Sequence, residues 1–272
     1  DGIPGPIHLA IAADILADDL DNGISDLKQV HEVAENPLEP SVKLVKSIAS
    51  AKKPLIIVGP FFGMPCHRDK LRKIENQLNI PVVLMESPRG FDDPRLGNIK
   101  SMLRLTDLII VVGKPIDFTL SYGSPETFKQ DTDWFVYIGS DALLKKARSN
   151  LGDRMKEAKN IAPLAAIDMF EKLKLKKAVA TKWLASVHKA IDCRDFFIPE
   201  KSYHQVKLNS LTFALTINKI LDCRKDVIAV SDGGEIGQWV QSFLYHHIVM
   251  INGTSGAIGG SLSYAMAVKL TH

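Results

Sequence analysis

The sequence predicts an α/β protein: a doubly wound, mainly parallel sheet with helices on both faces, followed by a second, incomplete α/β unit. Three observations carry this. Continuous apolar runs such as Leu55-Ile-Ile-Val-Gly59 and Leu108-Ile-Ile-Val-Val-Gly113 fit parallel strands covered on both sides. They alternate with charged stretches of helical period, the order of βαβ units. Near the end of the chain a strand-to-helix pattern appears twice more, each time through a glycine-rich turn.

Taken in order, Ile7 to Ile11 reads as a short strand after the Pro4-Gly5-Pro6 turn. Residues 17–41 are rich in Asp, Glu and Pro and read as a linker crossing a surface. From Pro54 the sheet pattern begins, with a strand at Leu55–Gly59, a helix at 67–78 and a strand at Pro81 to Met85. Further strands are expected at Leu108–Gly113 and Trp134–Gly139. Residues 161–190 read as helix, and about 192–207 as a second linker. Leu208, Leu211 and Leu215 are expected to share a helix face, and the last strands are Val227–Ser231 and one beginning at Val249. The predicted division is a tail (1–25), a central α/β domain (26–190, core about 40–175) and an incomplete α/β unit (191–272).

At 272 residues the chain has material for a large core, and its 46% hydrophobic and 24% charged composition is that of a globular protein. A net charge of +3, from 34 basic and 31 acidic residues, is too balanced to favour nucleic acid. The local basic stretches, Lys145-Lys146-Ala-Arg148 and Lys172 to Lys177, read as solvated helix faces. Cys66, Cys193 and Cys223 are odd in number and widely spaced, which argues against a disulfide framework or zinc site and for a reducing compartment, by default the cytoplasm. No apolar stretch approaches the roughly 20 residues that span a bilayer, and the first residues do not read as a signal peptide.

Ser231-Asp-Gly-Gly-Glu-Ile-Gly-Gln238 ends a strand in adjacent glycines, which lets backbone N–H groups approach an anion at the positive end of a helix dipole. A tight strand–helix turn explains the same residues. It is neither Gly-x-Gly-x-x-Gly nor a P-loop. Gly253-Thr-Ser-Gly-Ala-Ile-Gly-Gly260 places glycines around one branched side chain, Ile258. Its backbone suits the edge of a heterocycle, with Ile258 as apolar support, and it equally suits close packing of a helix on the sheet. Arg89 and Lys114 stand near strand ends and are loop charges before they are phosphate ligands. His246-His247 points to opposite faces of a strand and reads as structural. Cys66-His67 has no third partner.

Together, Asp232-Gly-Gly-Glu-Ile-Gly-Gln-Trp239, Asn252-Gly-Thr-Ser-Gly-Ala-Ile-Gly-Gly260 and Tyr264-Ala-Met-Ala-Val-Lys-Leu270 resemble the opening of the pyrophosphate-binding domain of thiamine-diphosphate (ThDP)-dependent enzymes. The nearest likeness is to acetolactate synthase large-subunit-like proteins, with 2-hydroxyacyl-CoA lyases as neighbours. Gly5 to Leu16 resembles the end of that family's pyrimidine-binding domain. Lys52-Lys-Pro-Leu-Ile-Ile-Val-Gly59, Glu86-Ser-Pro-Arg-Gly90 and Asp107 to Gly123 resemble its central domain, a deoxyhypusine-synthase-like NAD/FAD-binding type.

The resemblance implies contacts of Gly234 and Glu235 with the diphosphate, the backbone of Glu235 counting for more than its carboxylate, which would repel an anion. It assigns the pyrimidine wall to Gly256, Ala257 and Ile258. Gly256 would meet the amino group through its backbone, and Ile258 would hold the cofactor bent. It implies ThDP and Mg²⁺, a 2-keto acid substrate such as pyruvate, a homodimer or homotetramer in the intact enzyme, and FAD, ADP, a CoA nucleotide or nothing in the central domain. The family's ring-activating glutamate and its Gly-Asp-Gly…Asn-Asn metal motif have no counterpart in this sequence. The chain alone is therefore expected to carry no catalytic or metal residues and to be inactive. A non-catalytic nucleotide-binding or assembly module is the reading from another class, and an unrelated NAD-dependent fold of sirtuin type lacks its zinc cysteines.

Overall fold

The computed structural model describes residues 39–87, 89–173, 181–193, 209–224, 227–244, 248–251 and 258–271. The expected tail strand, most of both linkers, and His246-His247 lie outside them. The central sheet has five parallel strands: β1 (Pro54–Val58), β2 (Val82–Leu84), β3 (Leu108–Val112), β4 (Asp133–Tyr137) and β5 (Met155–Lys159), in the order β2-β1-β3-β4-β5.

Both faces are covered, as the apolar runs require. Alternate residues of each strand enter opposite cores. Ile56, Val58, Ile110, Val112, Phe135 and Tyr137 face α1 (Val42–Ser50), α2 (Pro65–Leu78) and α5 (Pro163–Glu171). Leu55, Ile57, Ile109, Val111, Trp134 and Val136 face α3 (Lys100–Leu103), α4 (Asp141–Leu151) and α6 (Thr181–Asp192). The architecture is a doubly wound α/β sheet.

Local sequence explains the helix ends. Ser41 caps α1 by accepting from Leu44 N, Ser140 caps α4, and Pro65 and Pro163 occupy first-turn positions of α2 and α5, where no N–H is needed. Asp107 anchors the start of β1, accepting from the N–H groups of Lys52 and Lys53 at 2.8 and 2.9 Å. Trp183 Nε1 donates to the Pro54 carbonyl at 2.7 Å and pins α6 beneath β1.

Three readings need correction. The single helix expected over 161–190 is two, α5 ending at Glu171 and α6 beginning at Thr181, with Lys172 and Leu173 outside either. β5 is a strand that apolar periodicity does not reveal. Met155-Lys-Glu-Ala-Lys159 is an edge strand, where charge is tolerated and blunts further pairing. Its Glu157 turns inward, accepting from Tyr137 Oη at 2.8 Å and from Ser41 Oγ, with Lys159 Nζ at 3.3 Å. Burial pushes the Glu157 carboxyl up, but these donors outweigh it and hold it below the usual range. Burial, with Glu157 alongside, drives the Tyr137 phenol far above its ordinary value.

The third correction concerns α7 (Ser210–Asp222), in which Leu211 and Ala214 are buried while Leu215 is 46% exposed. Leu211 lies on the buried face with Ala214 while Leu215 does not, and Leu208 lies outside the described residues. A two-stranded parallel sheet, β6 (Ile228–Ser231) and β7 (Ile248–Ile251), follows with α8 (Gly234–Phe243) and α9 (Gly260–Thr271). The turn Pro94–Leu96 contacts α8, and Arg89 Nη1 donates to Gln241 Oε1 at 2.7 Å, so the two sheets are tied.

The carboxyl ends of β1 and β3 nearly touch. A Cβ built on Gly59 would lie 2.0 Å from the Gly113 carbonyl oxygen, and Gly113 itself adopts φ +63°. Because the obstacle is backbone, Gly59→Ala is expected to cost about 1–3 kcal/mol or more of unfolding free energy. Urea titration measures this, and an unchanged midpoint would show that the strand ends part without strain.

Candidate functional site

Two regions sit where parallel sheets present ligand sites, at the carboxyl edges of their strands. In the central sheet that edge is formed by the segments after β1 and β3. Sequence reasoning weighed Arg89 and Lys114 there as phosphate contacts but favoured loop charges, and the structure gives each an internal partner. Arg89 is spent on Gln241. Lys114 is 5% exposed, with Asp117 Oδ1 3.8 Å away. Burial pulls its amine below the ordinary lysine value, only partly offset by Asp117.

Asp117 organises the loop after β3. Its carboxylate accepts from Thr119 N at 3.0 Å and from the Thr119 hydroxyl, and its carbonyl accepts from Tyr122 N at 2.8 Å. The turn forces Ser121 and Tyr122 to φ +48° and +51°, a conformation few non-glycine residues adopt. Tyr122 is thereby held 55% exposed at the rim of a cleft of about 520 Å³ between this loop and α4. Asp117, Tyr122, Lys146 and Asn150 line it over Ile116 and Leu143. Sequence reasoning missed this cleft, since only the fold brings α4 beside the loop.

The second region is the carboxyl edge of β6 and β7. Because these strands are parallel, both end at the same edge, where Gly233 and Gly234 follow β6. Gly234 opens α8 at φ +74°, and no atom lies within 4 Å of a Cβ built on Gly233 or Gly234. No side chain caps α8 at Gly233. The first turn of α8 thus has N–H groups without a cap from Gly233, the kind of donors a diphosphate uses. Glu235 lies in the first turn, but its Oε1 accepts from Trp239 Nε1 at 3.2 Å, which draws the carboxylate along the helix.

At the second turn, Gly256 and Ala257 lie outside the described residues. Ile258 is 79% exposed just ahead of α9. From it an apolar stripe continues through Leu262, Met266 and Leu270, each at least 60% exposed. The two turns meet at Asp232, whose Oδ1 accepts from Ser261 N at 3.1 Å. Sequence reasoning passed over Asp232. The available signal was a carboxylate placed directly between a strand and paired glycines.

Among the described residues no three or more His, Cys, Asp or Glu side chains gather as a metal site, and no helix is long and apolar enough to cross a membrane. Cys66, Cys193 and Cys223 are thiols rather than disulfides. No protein-family model matches the sequence. The chain is similar to human 2-hydroxyacyl-CoA lyase 1, 22% identical over 286 aligned positions covering 99% of this chain and 48% of the lyase. Mouse 2-hydroxyacyl-CoA lyase 1 is 23% identical over 292 positions, with the same coverage. The chain therefore spans about half the length of these relatives.

The buried amine at Lys114 has a measurable signature. Above a lowered folded-state pKa, the unfolded chain still binds the proton that the folded chain has released, so stability rises with pH up to the ordinary value of 10.5. Chemical denaturation should show this rise in the parent chain and its loss in Lys114→Met, which should also have the higher midpoint at neutral pH. A flat difference between the two across that window would contradict it.

Proposed function

We propose that this chain is the central domain, with flanking parts of two catalytic domains, of a ThDP- and Mg²⁺-dependent enzyme that breaks or forms a carbon–carbon bond beside a carbonyl. On this reading residues 1–25 close a pyrimidine-binding domain, 26–190 form the central domain and 191–272 open a pyrophosphate-binding domain. The single observation that carries it is the likeness to 2-hydroxyacyl-CoA lyases across nearly the whole chain, in a sequence whose glycine turns resemble the same cofactor family. The shared edge at which β6 and β7 end is consistent with it.

The local geometry suits half of such a site. The uncapped start of α8, with Gly234 free of crowding, offers N–H groups to a diphosphate, and Glu235 is held aside by Trp239. Gly256, Ala257 and Ile258 take the pyrimidine side, with Ile258 exposed as apolar support. Bound there, ThDP supplies the electron sink for heterolytic cleavage next to a carbonyl, while the protein binds and orients it. Mg²⁺ finds no cluster of three or more His, Cys, Asp or Glu among the described residues.

Two substrate classes use the same residues. The motifs favour acetolactate-synthase-like carboligation of a 2-keto acid; the relatives' name favours a 2-hydroxyacyl-CoA, whose C1–C2 bond, broken beside the carbonyl, would give an aldehyde and formyl-CoA. The exposed apolar stripe of α9 fits a homodimeric or homotetrameric enzyme, and three cysteines kept as thiols fit the cytoplasm. The test is an assay of the longest protein carrying this sequence, given ThDP and Mg²⁺ with pyruvate or a 2-hydroxyacyl-CoA. Acetolactate identifies the synthase, and aldehyde with formyl-CoA the lyase. Turnover of neither, or turnover indifferent to ThDP, overturns the reading. The 272-residue chain alone should turn over neither substrate.

A binding module is the second reading, favoured by the cleft beside Tyr122 and Lys146. Isothermal titration of the chain with FAD, ADP and CoA should give heat with one of them, diminished in Lys146→Ala. Silence with all three removes nucleotide binding from the central domain.

A further inference from the structure

The glycine-rich turn before α9 reads, as sequence, as backbone for the edge of a heterocycle or for close packing of a helix on the sheet. The structure shows a different use of its N–H groups. Asp232, immediately after β6, reaches across 29 positions of sequence to accept from Ser261 N at 3.1 Å. Its carboxyl is held below the ordinary range: burial works upward, and the backbone N–H groups of Ser261, Gly259 and Gly260, with the Ser261 side chain, outweigh it. The Ser261 hydrogen bond ties the carboxylate to the start of α9, and the neighbouring Gly259 and Gly260 N–H groups add to the pull on it, as in an anion-binding nest filled from within the chain. Gly259 adopts φ +95° with nothing within 4 Å of a Cβ built on it, so conformation rather than crowding requires glycine there.

We propose that Asp232 is a positioning residue: its carboxylate fastens the Gly259-Gly260-Ser261 start of α9 to the carboxyl end of β6 and so fixes the turn that carries Ile258. The contact joins the two glycine turns into one mechanical unit, since Asp232 is also the residue before Gly233 and α8. It consumes donors that an external anion would otherwise use at α9. The N–H groups at the start of α8 have no side-chain cap. Ile258 stands three residues before Ser261, outside the latch but held by it, and is 79% exposed. That Ile258 faces a cofactor rests on the proposed function. The latch itself does not.

Amide hydrogen exchange on the full chain, without cofactor, tests the latch. Asp232→Ala should speed exchange at Gly259, Gly260 and Leu262 by about tenfold, as befits loss of a charge-assisted hydrogen bond, and leave β1–β5 unchanged. Asp232→Asn keeps an acceptor oxygen and should recover most of the protection. Ser261→Pro removes the donor at a first-turn position that tolerates proline; it should match Asp232→Ala, and the double variant should be no faster than either. Unchanged exchange in Asp232→Ala, no recovery in Asp232→Asn, additive effects of the two sites, or acceleration spread evenly over the chain each overturn the proposal. A separate titration with ThDP and Mg²⁺, read by the same amides, bears only on the cofactor. No response there leaves the latch standing while removing the role of Ile258.

Discussion

The structure is organised around the side-by-side run of β1 and β3. Their registers match from Pro54 opposite Leu108 to Val58 opposite Val112, and every residue of both strands is buried. Apolar side chains on both faces demand helices on both sides, and parallel pairing demands crossovers long enough to supply them. The strands then end so close together that a methyl group at Gly59 would collide with the Gly113 carbonyl. This proximity turns the chain after β3 outward, through Lys114 and Asp117, and sets the loop carrying Tyr122 beside α4.

The second unit repeats the arrangement with two strands and a polar fastener. β6 and β7 are short, and β6 is only partly buried until Ser231. Apolar packing alone therefore constrains the following turns weakly. Asp232 adds a directional contact where the strand gives out. Arg89 adds another at the junction with the central sheet, through Gln241 of α8. Arg89 stands in a loop and Asp232 beside paired glycines. In each case an internal hydrogen bond has taken the charge.

Legibility followed burial. β1, β3 and β4 were readable because a strand covered on both faces must be apolar throughout, and their ends fell within a residue or two of the expected ones. β5 was not, because an edge strand half open to solvent keeps Lys156, Glu157 and Lys159 and shows no period. The break between α5 and α6 was hidden by helix-compatible residues on either side of Lys172 and Leu173. The leucine spacing in α7 misled for a related reason. Periodicity marks which side chains could share a face, and packing against α8 decides which are buried. At the candidate site, the two glycine turns were visible as motifs, whereas the role of Asp232 was not.

By itself, the sequence determined the alternation of strands and helices, the two-sided core and the pair of glycine turns, because each follows from local conformational preference and the pattern of apolar residues. It also carried the cofactor-family resemblance, in residues that need not touch to be recognised. Tertiary structure alone decided which polar groups are already satisfied. Lys114 is buried, Arg89 is held by Gln241, Glu235 is turned toward Trp239, and Asp232 fills the nest at Gly259–Ser261. A charge's availability to a ligand depends on what lies within about 3–4 Å of it. That distance is set by the meeting of segments far apart in the chain.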